Sequence, residues 1–175
     1  KVWAGDDAGQ TTLKIGTGAG GDSVTSAQTG ANGGTPLQTD VKTVATGTYY
    51  VSESGGLDNH SSSLACTKNG QDYTPGANDA VTVGKDDAVV CTFTNTRKQG
   101  TIELKKAWSG TPGQTTLKIG TSVGGDQVDT QAIDGADGST GENTVNTGTY
   151  YVSESALADY DDSLACTVDG QSVTP

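Results

Sequence analysis

The stretch Gly47-Thr-Tyr-Tyr-Val-Ser-Glu-Ser54 occurs a second time, unchanged, as Gly148-Thr-Tyr-Tyr-Val-Ser-Glu-Ser155. Tyr49, Val51 and Glu53 share one face of an extended chain, which is the period of a β-strand. Other segments return in the same order, and this repetition indicates two copies of one structural unit. The further pairs are residues 1–5 with 106–110, 10–17 with 114–121, and 63–67 with 163–167.

The repeats divide the chain into residues 1–98 and 99–175. The offset between matching segments falls from 105 at Lys1 and Lys106 to 100 at Ser63 and Ser163, so small deletions lie in the Gly-rich segments. Residues 100–105 precede Lys106, whereas residues 76–105 have no counterpart in the second copy. We therefore expect the first copy to lack most of its first strand and the second to lack its last. Neighbouring repeats, or strands of neighbouring chains, would complete such units.

Strand and turn signals recur through both copies. Positions 102, 104, 106 and 108 share one face, as do positions 89, 91, 93 and 95. Asn69-Gly70 and Asp169-Gly170 fit two-residue hairpin turns. These signals predict an all-β fold of tandem antiparallel β-sandwiches with about seven strands per unit. Because only residues 97–99 separate the copies, we expect the units to be arranged end to end.

The composition limits the classes of function. Only 31% of the residues are apolar and 26 are glycine, so each copy has a thin core. The net charge of -11 is scattered through turns, and no basic stripe is present to bind nucleic acid. No apolar run reaches the roughly 18 residues that a membrane span needs. The acidic surface is typical of a protein that stays in solution.

Three strand sequences carry a resemblance to a known family. Residues 47–53, 90–96 and 100–106 resemble the prealbumin-like repeats of Gram-positive surface proteins, relatives of the collagen-adhesin B-type and pilin SpaA-type domains. The resemblance implies a transthyretin-like, seven-stranded β-sandwich. It also implies an extracellular location, attached to the cell wall or on a secreted filament, and a role as a structural repeat of a stalk, adhesin or fibre.

An alternative function is an adhesive module whose variable Gly-rich loops bind a host ligand or a glycan. Such a site predicts clustered aromatic residues in the loops. Tyr73 and Tyr160 are the aromatic residues expected in loops, and Val173 replaces Tyr73 in the second copy, which favours the stalk. The sequence predicts no enzyme activity and no cofactor. His60, the single histidine, is expected in a solvated loop without a nucleophile beside it.

No metal site is predicted either. Residues 134–142 gather three carboxylates in a Gly-rich loop, but they lack the alternating acidic spacing of a calcium loop. Trp3 and Trp108 follow the repeated lysines by two residues. We expect both to be core or junction anchors.

The cysteines suggest a covalent link. Cys66 and Cys91 lie in strand-like segments and outside any Cys-x-x-Cys or Cys/His pattern. An internal disulfide is one interpretation, and two buried thiols are the other. Cys166 matches Cys66, and its expected partner lies beyond Pro175.

The resemblance implies a second kind of cross-link. In the related domains a lysine of the first strand condenses with an asparagine or aspartate of the last strand, assisted by a buried carboxylic acid. By order and face, the candidates are Lys1 and Asn95 with Glu53, and Lys106 with Glu154. The alternative is that these polar groups end their strands and reach water.

Overall fold

Strands provide nearly all the regular structure of the computed structural model, which describes residues 1–5 and 8–175. Within these residues the helical elements are two three-residue 3₁₀ turns, Ala31–Gly33 and Ala77–Asp79. None of the described helices has the length and apolar character to cross a membrane. The chain divides into two units, Lys1–Gln99 and Gly100–Pro175. The predicted all-β class is confirmed.

Unit 1 consists of two four-stranded sheets. Its strands are β1 Val2–Ala4, β2 Thr12–Gly16, β3 Thr25–Gln28, β4 Gly47–Ser54, β5 His60–Lys68, β6 Gln71–Tyr73, β7 Ala80–Val83 and β8 Val89–Arg97. One sheet has the order β1-β8-β5-β6 and the other β3-β2-β4-β7. The described part of unit 1 thus has eight strands where the sequence predicts about seven. Two of them, β1 and β6, are edge strands of only three residues.

The core of unit 1 lies between the two sheets. Leu13, Val51 and Val81 come from one sheet, and Cys66 and Phe93 come from the other. The alternation of β4 and β8 predicted these inward faces correctly, since every second residue from Val89 in β8 is buried or half-buried. The half-buried side chains packed on this core are Ile15, Tyr49, Leu64, Tyr73, Val89 and Cys91.

A two-residue turn joins β5 to β6 as the sequence predicts. Lys68 pairs with Gln71, and Asn69 and Gly70 between them have φ of 52° and 78°. Positive φ at both positions defines a type I′ hairpin, which the Asn-Gly pair adopts at low cost. The hairpin places Tyr73 in β6 against the core, so the expectation of a loop at Tyr73 is wrong.

Unit 2 is built from shorter ladders. Its strands are β9 Gln99–Ile102, β10 Lys105–Lys106, β11 Gln114–Gly120, β12 Asp129–Asp134, β13 Gly138–Ser139, β14 Asn143–Asn146, β15 Tyr151–Glu154, β16 Cys166–Val168 and β17 Gln171–Val173. A three-stranded sheet has the order β12-β11-β15, and β9 pairs with β14, β10 with β13, and β16 with β17. Leu117, Ile119 and Ile133 are its buried apolar residues.

The segment around residues 102–108 keeps its predicted faces but is not one strand. Its even positions are half-buried and its odd positions are exposed, as the alternation predicts. The strand is interrupted at residues 103–104 because its pairing partner changes from β14 to β13. There the Thr140 N–H donates to the Leu104 carbonyl, and the Leu104 N–H donates to Thr140 Oγ1, both at 3.0 Å.

A disulfide joins β5 to β8. Cys66 and Cys91 stand directly opposite each other in the antiparallel register, and their sulfurs are bonded. The predicted pairing is therefore present, and the alternative of two thiols is wrong. Cys166 in unit 2 is a free, half-buried thiol.

Reducing this disulfide is expected to lower the free energy of unfolding of unit 1 by about 3 kcal/mol, because the bond closes a long loop of the unfolded chain. Urea unfolding of the oxidised and reduced chain measures the difference, and intact mass checks the reduction. Cys166→Ala is the matched control and should show the same difference. A loss below about 1 kcal/mol would contradict the expected contribution.

Candidate functional site

Three strands of unit 1 converge on one small polar cluster. β1 and β8 are parallel neighbours, with Trp3 opposite Asn95, and Lys1 immediately precedes β1. Glu53 lies near the end of β4, in the facing sheet. Lysine and asparagine therefore come from one sheet and the carboxylate from the other.

One carboxylate oxygen binds both other members of the cluster. Lys1 Nζ donates to Glu53 Oε2 at 2.8 Å, and Asn95 Nδ2 donates to the same oxygen at 3.3 Å. The second oxygen, Oε1, accepts a hydrogen bond of 2.6 Å from Ser62 Oγ. Glu53 thus holds an amine and an amide next to each other.

The cluster is removed from water. The Lys1 and Glu53 side chains are 0% and 4% exposed, and Asn95 is fully buried. The Trp3 ring covers the amine, with Nζ 4.3 Å from the ring centroid. Burial lowers the pKa of the Lys1 side chain, and the hydrogen bond and the charge of Glu53, which act in the opposite direction, offset only part of that effect. The neutral, nucleophilic form of the amine is thereby favoured.

The carbonyl of Asn95 is left without a donor. Asn95 Oδ1 is buried and has no hydrogen-bond partner among the described residues. An unsatisfied buried carbonyl costs about 1–3 kcal/mol, and structures keep few of them.

Unit 2 contains the corresponding pair in a more open setting. Lys106 Nζ lies 3.0 Å from Glu154 Oε2, and the two side chains are 15% and 22% exposed. Trp108 again covers the amine, with 4.5 Å between Nζ and the ring centroid. No counterpart of β8 is among the described strands of unit 2, and the pair borders a cavity also lined by Tyr160 and Asp161.

The sequence analysis missed one neighbour of the cluster, Ser62, and placed two others, Trp3 and His60, in different surroundings. Ser62 lies on the same face of β5 as Cys66, so the alternation of that strand could have identified it. Trp3 was expected to be a core or junction anchor, but its ring lies over Lys1. His60 was expected in a solvated loop; instead it begins β5, is buried, and meets Trp3 edge to face.

The fold of unit 1 is that of a known family. The family model described as a prealbumin-like fold domain, of the SpaA type, matches residues 4–97. This match covers more than half of the 175 residues. The chain belongs to the SpaA-type prealbumin-like fold family. No curated protein and no solved structure shows a significant similarity to it. The family resemblance of the strand sequences is confirmed for this prealbumin-like protein.

The lowered pKa of Lys1 predicts a pH dependence of stability. Between that pKa and the ordinary value of about 10.4, the unfolded chain binds more protons than the folded chain. The free energy of unfolding should therefore rise with pH across this window and then level off. Asn95→Ala is the background for the urea titrations, because it offers Lys1 no amide to react with.

The double variant Asn95→Ala/Lys1→Met removes the Lys1 ammonium and, with it, the contribution of that charge to the lowered pKa of the residue 1 α-amino group. Both effects have the same sign. As the pH rises from 7 towards 10.5, the unfolding free energy of Asn95→Ala should increase relative to that of the double variant. A difference that is flat or falls with pH would contradict a lowered pKa.

Proposed function

We propose that this prealbumin-like chain is a structural repeat of an extracellular stalk, adhesin or fibre, hardened by internal covalent bonds and without enzymatic turnover. The observation that carries the proposal is the burial of Lys1 and Asn95 with Glu53, whose Oε2 binds both of them. Lys1 immediately precedes the first described strand of unit 1 and Asn95 lies in its last, so a bond between these two residues would close the unit on itself.

The proposed reaction is a condensation of Lys1 with Asn95. Glu53 takes a first proton from the ammonium and releases it to solvent, and the neutral Nζ attacks the Asn95 carboxamide carbon. As the C–N bond to Nζ forms, Glu53 takes a second proton from Nζ and passes it to Nδ2, and the bond from the carbon to Nδ2 breaks. Ammonia departs and Glu53 returns to its starting form, while Lys1 and Asn95 are consumed, so the reaction occurs once per unit. The shared oxygen Oε2 supports this path because it contacts both the amine and the leaving nitrogen.

An amide at this position would protect the unit under tension. Force that enters through β1 and leaves through β8 shears the ladder between these parallel neighbours. The Lys1–Asn95 bond would carry that force covalently, while the disulfide ties β8 to β5 on its other side. A thin core then no longer limits the force that the repeat withstands.

The setting of the chain agrees with a surface protein. Disulfides persist in oxidising, extracellular environments, and the net charge of -11 keeps neighbouring surfaces apart. The Lys106–Glu154 pair supports the same chemistry in unit 2, once a strand that brings an asparagine lies beside it. We propose neighbouring repeats, arranged end to end, as the partners of each unit.

Intact mass tests the cross-link directly. The folded 175-residue chain is expected to weigh about 17 Da less than its sequence after full reduction, because one ammonia is lost in unit 1. Fragmentation should locate the missing mass on a branched peptide that joins Lys1 to Asn95. Asn95→Ala and Glu53→Gln should each keep the full mass.

Lys85→Met is the matched control, because Lys85 is an exposed lysine of the same unit that pairs only with Asp86. It should lose the same mass as the parent chain. If the parent chain shows only the change of about 2 Da that reduction of the disulfide produces, the repeat is a spacer stapled by its disulfide, and Glu53 has no chemical role.

A further inference from the structure

The structure points to a second set of residues in the reaction. We propose that Trp3 and Trp108 are positioning residues, each forming with a second aromatic ring a lid over the lysine amine. The amine below the lid is closed off from water in unit 1 and partly exposed in unit 2. This inference rests on the proposed condensation and extends it, because it explains how the amine is kept dry. The lid is Trp3 with His60 in unit 1, and Trp108 with Tyr160 in unit 2.

Trp3 stands over the reacting amine. It follows Lys1 by two residues on the same face, and its ring centroid lies 4.3 Å from Nζ. In the parallel ladder it is the direct cross-strand neighbour of Asn95. Val2, between Lys1 and Trp3, points outward and is 46% exposed. The ring therefore covers the amine beside the strand that carries the amide.

Each tryptophan packs against a second aromatic ring, which is histidine in unit 1 and tyrosine in unit 2. His60 meets Trp3 edge to face at 5.0 Å between centroids, with the planes 68° apart. Tyr160 meets Trp108 in the same way, at 5.2 Å and 65°. His60 and Tyr160 are equivalent positions, since both stand three residues before the repeated Ser-Leu-Ala-Cys segment. An imidazole and a phenol share little except an aromatic ring, so the position requires a ring.

A glycine leaves room for the lid in each unit. A Cβ on Gly9 would lie 2.9 Å from Trp3 Cη2, too close for any side chain. A Cβ on Gly113 would lie 3.4 Å from Trp108 Cη2 and 3.1 Å from Tyr160 Oη. Both glycines immediately precede the repeated Gln-Thr-Thr segment. Lysine, tryptophan, second ring and glycine thus recur together in two units.

The lid favours the reactive form of the amine because it excludes water. A ring face attracts the ammonium, which favours the charged form, but complete removal of an ammonium from water disfavours that form more strongly. The direction of the Lys1 pKa agrees with this balance. The indole N–H of Trp3 is buried without a partner among the described residues, so a hydrogen bond does not account for the choice of tryptophan in unit 1.

The test is the rate of ammonia loss during refolding. The 175-residue chain is collected unfolded in denaturant and diluted into buffers from pH 6 to 10. Samples are quenched with acid at intervals, and their mass is measured. Trp3→Leu should slow the loss about tenfold or more at pH 7, because the pKa of a wetter amine lies closer to its ordinary value and less of the amine is neutral. The deficit should shrink as the pH approaches 10. A purely structural defect would slow the reaction equally at every pH.

Three further variants complete the test. Trp3→Phe keeps an aromatic ring over the amine and should stay within about threefold of the parent rate, because the ring still excludes water. Gly9→Ala keeps the indole but displaces it, so it should reproduce the alkaline shift even if Trp3→Leu does not fold. Val2→Ala, on the outward face of the same strand, should react like the parent chain.

The outcomes separate the lid from the cross-link. If the parent chain loses ammonia and Trp3→Leu and Gly9→Ala match it at every pH, the cross-link stands and the lid is overturned. If both variants are slowed equally at all pH values, the role in excluding water is overturned as well. If the parent chain never loses ammonia, both the proposed condensation and the proposed lid are wrong.

Discussion

Glu53 Oε2 accepts hydrogen bonds from two buried donors, the amine of Lys1 and the amide of Asn95. The strands around these residues hold the three groups together. Taking an ammonium and a carboxylate out of water costs several kcal/mol for each ion. The pair is therefore stable inside the sandwich only if its geometry is close and its other polar atoms have hydrogen-bond partners. Ser62 Oγ donates a hydrogen bond to the second carboxylate oxygen. The parallel pairing of β1 with β8 brings the first and last strands of an otherwise antiparallel unit side by side, and this single departure from the antiparallel pattern lets lysine meet asparagine.

The thin core explains why covalent chemistry suits this chain. Five buried apolar residues form the centre of unit 1, and domains of this size have little stability to spare. The disulfide attaches to β8 on the side of β5, and the proposed amide would attach to it on the side of β1, because β8 lies between these two strands. Neither bond would need a larger apolar core. The surface remains free to be acidic and rich in glycine, which suits a repeat that must not associate sideways.

Comparing the two units shows which features of the lysine–glutamate pair recur. The ion pair is almost fully buried in unit 1 but 15% and 22% exposed in unit 2, where no strand equivalent to β8 is described beside it. The lysine, glutamate, tryptophan and glycine nevertheless recur, while Ser62 is replaced by Asp162 and His60 by Tyr160. Both units thus keep the lysine amine, its glutamate carboxylate and a tryptophan over the amine. They differ in the side chains around this group.

The sequence alone determined the repeat, the all-β class, the Asn-Gly turn, the inward faces of β4 and β8, and the family, because alternation and turn chemistry are local properties of the chain. It also nominated Cys66 with Cys91, and Lys1 and Asn95 with Glu53, by face and order. Only the tertiary structure decided that His60 is buried, that Trp3 covers Lys1, and that the segment around Leu104 changes its pairing partner. These facts depend on which strands become neighbours across two sheets, and pairing over long sequence separations leaves no periodic signal in either segment by itself.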